Sequence, residues 1–438
     1  MQLKDGLLKA RSQIVFLVGL VCALAVIVLL EHWDFDGVLV RRPPVVKTPG
    51  IPTVPPPREL TPEERQWAKV AWRYFQNNYQ PHTGLVNSVD NYPASTLWDT
   101  ASSLLGLIAA YRLELISQGE FDGRLSLALT SLAQIPLFEN HLPNKSYNTK
   151  SLTMVDYTNK TVERGIGWSA IDIARFLVPL NIIAWNYPQH AAAVKAVVKR
   201  WDWNSLLHGG HLYGAMIDKK GKTVYVQEGR LGYEEYAAKS LTLLGMDTLA
   251  ALEQTDFLKY IRVYNILLPT DSRDPERYGA HNYVVSEPYI LDGLEFGWDD
   301  TSREFAYRVY AAQQERFTRT GILTAVSEDH LDQAPYFVYN TVFTDGKPWS
   351  CITDKGQDAE VFKSVSTKAV FGWHVLYGTQ YTGTLLAKIS ALHDPERGWY
   401  SGLYEKNQLP NKAITANTNA IILEALAYKR FGKLVQIY

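Results

Sequence analysis

The segments Val89-Asp90-Asn91-Tyr92 and Leu97-Trp98-Asp99 set two carboxylates and two aromatic rings on one short loop-to-helix stretch. A pair of carboxyl groups, one protonated and one ionised, is the equipment for breaking a glycosidic bond. A flat ring beside them offers its face to a pyranose while its N–H or O–H reaches hydroxyls. Asp90 and Asp99 are therefore the leading catalytic candidates, followed by Glu234 beside Tyr233 at a helix start and Glu405 beside Tyr404. The candidate substrate contacts are Tyr92, Trp98, Trp168, Tyr233, Trp298, Trp373, Trp399, Tyr404 and Asn417. Acids in comparable positions are Asp156, Asp172, Glu228, Glu235, Glu287, Asp299, Asp300 and Glu328. Each has a plainer alternative, a helix cap or salt bridge for an acid and core packing for a ring. Thr96-x-x-Asp99, Ser169-x-x-Asp172 and Thr301-x-x-Glu304 all have the form of a capping box, in which hydroxyl and carboxylate satisfy free N–H groups at a helix start.

Other chemistries find no support. His208-Gly-Gly-His211 reads as a turn, because no cysteine or His-Glu-x-x-His pattern accompanies it, so no metal is expected. No phosphate loop, dinucleotide fingerprint or Gly-x-Ser-x-Gly elbow is present, and no cofactor is expected. Lys+Arg at 44 against Asp+Glu at 45 argues against a nucleic-acid partner. Cys22 lies in an N-terminal apolar run and Cys351 far along the chain, so no disulfide staples the domain and its core must carry the stability. The 12 Trp and 26 Tyr suit either the rim of a large core or a sugar-binding cleft.

Long amphipathic helices must position these residues. Apolar residues recur at helical spacing in Thr96–Ser117, Ser169–Trp185, Ser302–Phe317, Lys368–Leu392 and Asn417–Phe431. Between helices, a glycine-led apolar segment ending in an acid recurs as Gly84…Asp90, Gly210…Asp218, Gly321…Glu328 and Gly398…Glu405, with Leu152…Asp156 a weaker copy. An outer helix, a short extended segment carrying an acid and an inner helix would make one unit. Such units packed around an axis predict an all-α fold, an α/α toroid with loops and inner-helix N-termini lining one mouth. An open helical solenoid is the alternative.

Residues 14–30 carry no charge and span roughly 25 Å as a helix, the short end of a membrane crossing. Lys4, Lys9 and Arg11 precede this run, and Glu31, Asp34 and Asp36 follow it. The positive-inside bias predicts a single-pass inner-membrane anchor with a cytoplasmic N-terminus (residues 1–13) and an extracytoplasmic, periplasmic C-terminal domain, a secretory signal peptide being the alternative. Seven prolines between Pro43 and Pro57 predict a stiff spacer over residues 31–60, and Thr61-Pro62-Glu63-Glu64 marks the start of a domain over 61–438.

Over residues 62–438 the chain resembles the bacterial family called domain of unknown function 3131. The residues that carry the likeness are Thr83-Gly-Leu-Val-Asn-Ser-Val-Asp-Asn-Tyr92 with Leu97-Trp-Asp-Thr100, Leu142-Pro-Asn-Lys-Ser-Tyr-Asn-Thr149, Gly167-Trp-Ser-Ala-Ile-Asp172, Ser366-Thr-Lys-Ala-Val-Phe-Gly-Trp373 and Thr415-Ala-Asn-Thr-Asn-Ala420. A looser likeness reaches glycoamylase-like proteins of the six-hairpin glycosidase type associated with β-1,2-glucans. It departs at Asn148, where their pattern has Asp. These resemblances imply the toroid and a polysaccharide or oligosaccharide partner, and they assign no catalytic residue. The expected function is a membrane-anchored, extracytoplasmic glycoside hydrolase or transglycosylase. The alternative is a non-catalytic glycan-binding or scaffold subunit; nothing in the sequence names a protein partner.

Overall fold

Helix caps written in the sequence set where the chain turns. The computed structural model describes residues 15–23, 45–253, 256–273, 278 and 281–437. The Thr61 hydroxyl accepts from the Glu64 N–H at 3.2 Å, and Glu64 reaches back to the Thr61 N–H at 2.8 Å. This box starts α1 (Pro62–Asn77), with proline at the position that needs no N–H. The helices that follow are α2 (Leu97–Arg112), α3 (Gln118–Leu132), α4 (Ala170–Asn186), α5 (Ala191–Val198), α6 (Tyr233–Thr242) and α7 (Leu249–Leu252). Then come α8 (Glu287–Leu291), α9 (Asp300–Thr320), α10 (Thr367–Tyr377), α11 (Gln380–Ile389) and α12 (Ala416–Phe431).

The even-numbered helices pack neighbour to neighbour, from α2 through α12 and back to α2, and so close a ring. The odd-numbered helices form the outer layer, the fourth reduced to the single turn α7. A helix held between an axis and an outer layer must be buried nearly all round. In α2, every residue from Leu97 to Ala110 except Trp98 is buried, and α12 is buried from Ala416 to Ala427.

Three expectations about these elements are corrected. The fold is not all-α: strands of two to seven residues connect the helices, the longest being His211–Ile217 and Gly398–Tyr404. Both grow from glycine-led segments of the repeat. The periodic run Lys368–Leu392 is two helices, because Gly378 takes a left-handed φ of 58° and Thr379 caps a new helix, α11. The cap of α9 is Asp299 rather than Thr301; its carboxylate accepts from Thr301 and Ser302 N–H at 2.8 and 2.9 Å. Glu304 is thereby released from the expected capping box.

Residues 15–23 are helical and exposed. Residues 1–13, the remainder of the apolar run and residues 31–44 lie outside the described residues. Among the described residues no helix is long and apolar enough to cross a membrane.

The compact body runs from Val45 to Tyr438 and includes the later part of the proline-rich stretch. Proline-rich chain makes no internal hydrogen bonds, so its peptide groups are open to side chains. Val46 N–H donates to the Tyr260 hydroxyl at 3.1 Å, and Thr48 N–H to Glu304 at 2.9 Å. Arg303 donates to Pro52 O at 3.1 Å, and Arg58 N–H to Lys429 O at 2.8 Å. Glu304 lies near the start of an outer helix and Lys429 in the last turn of an inner one, so this strap crosses the face opposite the inner-helix N-termini. A fragment starting at Thr61 should therefore be less stable than one starting at Val45 by about 2 kcal/mol, the sum of a few such bonds. Thermal unfolding of the two fragments checks this, and equal midpoints would contradict it.

Candidate active site

The first turns of the inner helices meet at one mouth, and beneath it a polar network joins all six. Glu287, the first residue of α8, accepts from Trp98 Nε1 at 2.9 Å (α2) and from Asn417 Nδ2 at 2.8 Å (α12). It also pairs with Lys368 of α10, whose Nζ donates to Asn417 Oδ1 at 2.8 Å. One turn deeper, the fully buried Arg175 of α4 donates to Glu295 and to the Tyr236 hydroxyl of α6, both at 2.8 Å, and to Ser102 of α2 at 3.3 Å. Glu295 lies on a π-helical turn (Asp292–Phe296) that continues α8; such turns re-aim a side chain. The Arg175 guanidinium also covers the Trp98 ring at 4.6 Å.

Burial would push Lys368 down, but Glu287, Asp329 and Glu328 outweigh it and hold the ammonium above its ordinary value. Burial raises Glu295, and Glu424 on α12 is held well above the usual carboxyl range by burial and by Glu295 beside it. With three donors on its carboxylate, Glu287 anchors the ring.

Closer to solvent the acids are differently placed. The Asp172 side chain, at the start of α4, accepts from the Ser169 hydroxyl at 3.0 Å. Burial and then the neighbouring Glu228 push its carboxyl up to about 7. Glu228 accepts from Ala170 N–H at 2.6 Å and is itself raised by burial. Asp99 is 4% exposed, and its Oδ2 accepts from the Thr96 hydroxyl at 2.9 Å. The Thr96 N–H is satisfied by Ser88 Oγ at 3.2 Å. Asp99 is therefore not a simple capping-box acid, and its field reaches both Asp172 and His330.

The strand Glu328–His330 pairs with Phe337–Asn340 as a hairpin on the opposite lip. Asp329 faces inward to Ser366 and is pushed by burial to about 7. Glu328 is raised by burial, and burial lowers His330.

The sequence candidates divide accordingly. Trp98 and Asn417 join through Glu287 just beneath the mouth, with Asp99 next to Trp98 on the first turn of α2 and Tyr233 edge-on to Trp98 at 5.8 Å. Tyr92 sits nearby, its hydroxyl donating to Tyr157 O at 3.4 Å. The other three catalytic candidates are already engaged by cations and amides. Asp90 accepts from Asn78 at 2.9 Å and pairs with Arg397. Glu234 pairs with Arg273 at 2.7 Å. Glu405 takes both guanidinium nitrogens of Arg316 at 2.7 and 2.9 Å.

Trp168, Trp373 and Trp399 are core residues, their indoles donating to Tyr213 O, Ser286 Oγ and Trp67 O at 3.1, 3.0 and 3.1 Å. Trp298 lies past the far end of α8 and donates to Tyr289 O at 2.8 Å. Tyr404 donates to Asp332 at 2.7 Å, away from the acids. His208 and His211 face each other across a two-residue Gly209-Gly210 turn. Asp156 and Asn148 are engaged by N–H groups of their own turns.

Sequence reasoning passed over Arg175, Tyr236, Glu295, Lys368 and Glu424. A signal existed, since a lone charge inside an otherwise apolar inner helix, as in Ile173-Ala-Arg-Phe-Leu177 or Ile421-Ile-Leu-Glu-Ala425, must find a buried partner.

The ring of paired helices with an acidic mouth is the α/α-toroid architecture, and solved structures share it. The chain is similar to an endo-β-1,2-glucanase from Chitinophaga pinensis in complex with sophorotriose and glucose, with 11% identity and a TM-score of 0.58 over 86% of this chain and 94% of that one. It is also similar to an endo-β-1,2-glucanase from Talaromyces funiculosus in complex with sophorose, with 12% identity and a TM-score of 0.56 over 85% and 84%. At this identity the likeness concerns the fold. The chain belongs to the family described as protein of unknown function (DUF3131), matching it over residues 66–432. No curated protein sequence matches it.

Proposed function

We propose that this protein cleaves or transfers glycosidic bonds of a polysaccharide, with Asp172 as the proton donor and Asp99 as the partner carboxylate. The observation that carries this reading is the Asp172 carboxyl at the mouth, pushed up to about 7 by burial and Glu228 and lying within the field of Asp99. A carboxyl titrating there is still partly protonated near neutrality and can give its proton to a leaving oxygen. Asp99, held by Thr96, would activate a water or attack the anomeric carbon. Resemblance in fold to two β-1,2-glucanases makes β-1,2-glucan the first substrate to try. The charge balance around residues 14–30 supports an anchored protein acting outside the inner membrane on an envelope or secreted glycan.

Incubating the Val45–Tyr438 fragment with β-1,2-, β-1,3- and β-1,4-glucans and resolving the products by chromatography tests the reading. Shortened or lengthened β-1,2-oligosaccharides are expected. Binding without any product would instead identify a glycan-binding subunit.

A further inference from the structure

Two aromatic surfaces face each other across the mouth and take no part in the proton transfer described above. On one lip, Tyr157 is 66% exposed, although its backbone oxygen is held by Tyr92 and the fields of Asp172 and Glu228 reach its hydroxyl. This exposed ring offers an open aromatic face beside the half-buried Asp172 and Glu228.

On the other lip stands the hairpin of Glu328–His330 and Phe337–Asn340. Its register pairs Glu328 with Tyr339 and His330 with Phe337, so these four side chains share one face. Asp329 and Val338 take the other face and are buried. Tyr339 stacks on Tyr283 with centroids 3.7 Å apart and planes 3° from parallel, and Phe337 meets Tyr339 edge-on at 5.3 Å. The fields of Tyr157 and Asp172 reach the Tyr339 hydroxyl from across the mouth.

We propose that Tyr157 and the Tyr339 face of the hairpin form two sugar subsites that hold consecutive residues of an uncharged glycan on either side of Asp172. Flat apolar rings flanked by hydroxyl and carboxyl groups suit the faces and edges of pyranoses. Asp99, Glu228 and Glu328 lie beside the path, and in their ionised forms they disfavour a uronate there. The proposal rests on the reading of the site as a glycan-processing one.

The test uses the full chain carrying Asp172→Asn, titrated with β-1,2-glucooligosaccharides, together with the active protein for turnover. Tyr157→Ala is expected to weaken binding about tenfold or more and to raise KM more than it lowers kcat. Tyr157→Phe, which keeps the ring, should stay near the unaltered protein. Oligosaccharides oxidised to uronates should not bind. Unchanged binding by Tyr157→Ala overturns the subsite, and equal binding of the uronates overturns the charge preference. If the unaltered protein neither binds nor cleaves the glucan, the functional reading itself fails and the subsites fail with it.

Discussion

Asp172→Asn is expected to lower kcat/KM on the cleaved glycan by about a thousandfold, because general acid catalysis by a positioned carboxyl is worth 10²–10⁴. Glycan binding should persist, since the amide keeps the shape and can still accept from Ser169. The same substitution should stabilise the fold above neutral pH. Burial and Glu228 raise Asp172 from 3.8 to about 7, so between those values the folded chain holds a proton that the unfolded chain has lost. The stability this contributes is fully present below about pH 4 and is lost as the pH rises through 7. Asp172→Asn removes that loss, a gain of up to about 4 kcal/mol at pH 8 that vanishes near pH 4. Thermal unfolding across this range, paired with turnover on the same variant, checks both halves. A variant that loses activity through unfolding shows the opposite change in stability.

Lys368→Met should be among the most destabilising single substitutions in the chain. The ammonium is buried against Glu287, with Asp329 at 3.8 Å, and it donates to Asn417. Removing one member of such a cluster leaves buried charge uncompensated, at a cost of about 3–5 kcal/mol. The cost should shrink as pH falls, because Asp329, already pushed to about 7, takes up a proton and no longer needs the cation. Denaturant unfolding of the variant at pH 8 and pH 5 reads this directly. A pH-independent loss would mean that Lys368 acts by packing alone.

The ring was legible in the sequence because amphipathic helices, hydroxyl caps and glycine-led connections are local signals. Thr61 and Gly84…Asp90 illustrate how far such signals reach. The break at Gly378 was missed because apolar periodicity runs straight through it, and only the backbone shows φ turning positive.

Asp90, Glu234 and Glu405 look like catalytic acids in a linear reading because their counterions, Arg397, Arg273 and Arg316, lie far along the chain or in another element. Asp172 looks like a cap because its cap residue, Ser169, is adjacent, whereas Glu228, which raises its proton affinity, comes from a distant strand end. Proline content predicts a stiff spacer over residues 31–60 and says nothing about Glu304 or Tyr260 on the domain surface. Capping and periodicity are thus readable from neighbours in sequence, while the charge state of an acid depends on neighbours in space.

A carboxyl at the mouth of the ring that is poised to donate a proton near neutrality must titrate there. Carbon-detected NMR titration of the Asp172 carboxyl in the Val45–Tyr438 fragment measures this without any substrate, with Asp172→Asn assigning the resonance. A midpoint near 7 is expected. A midpoint near 4, the ordinary value for an aspartate, would contradict it.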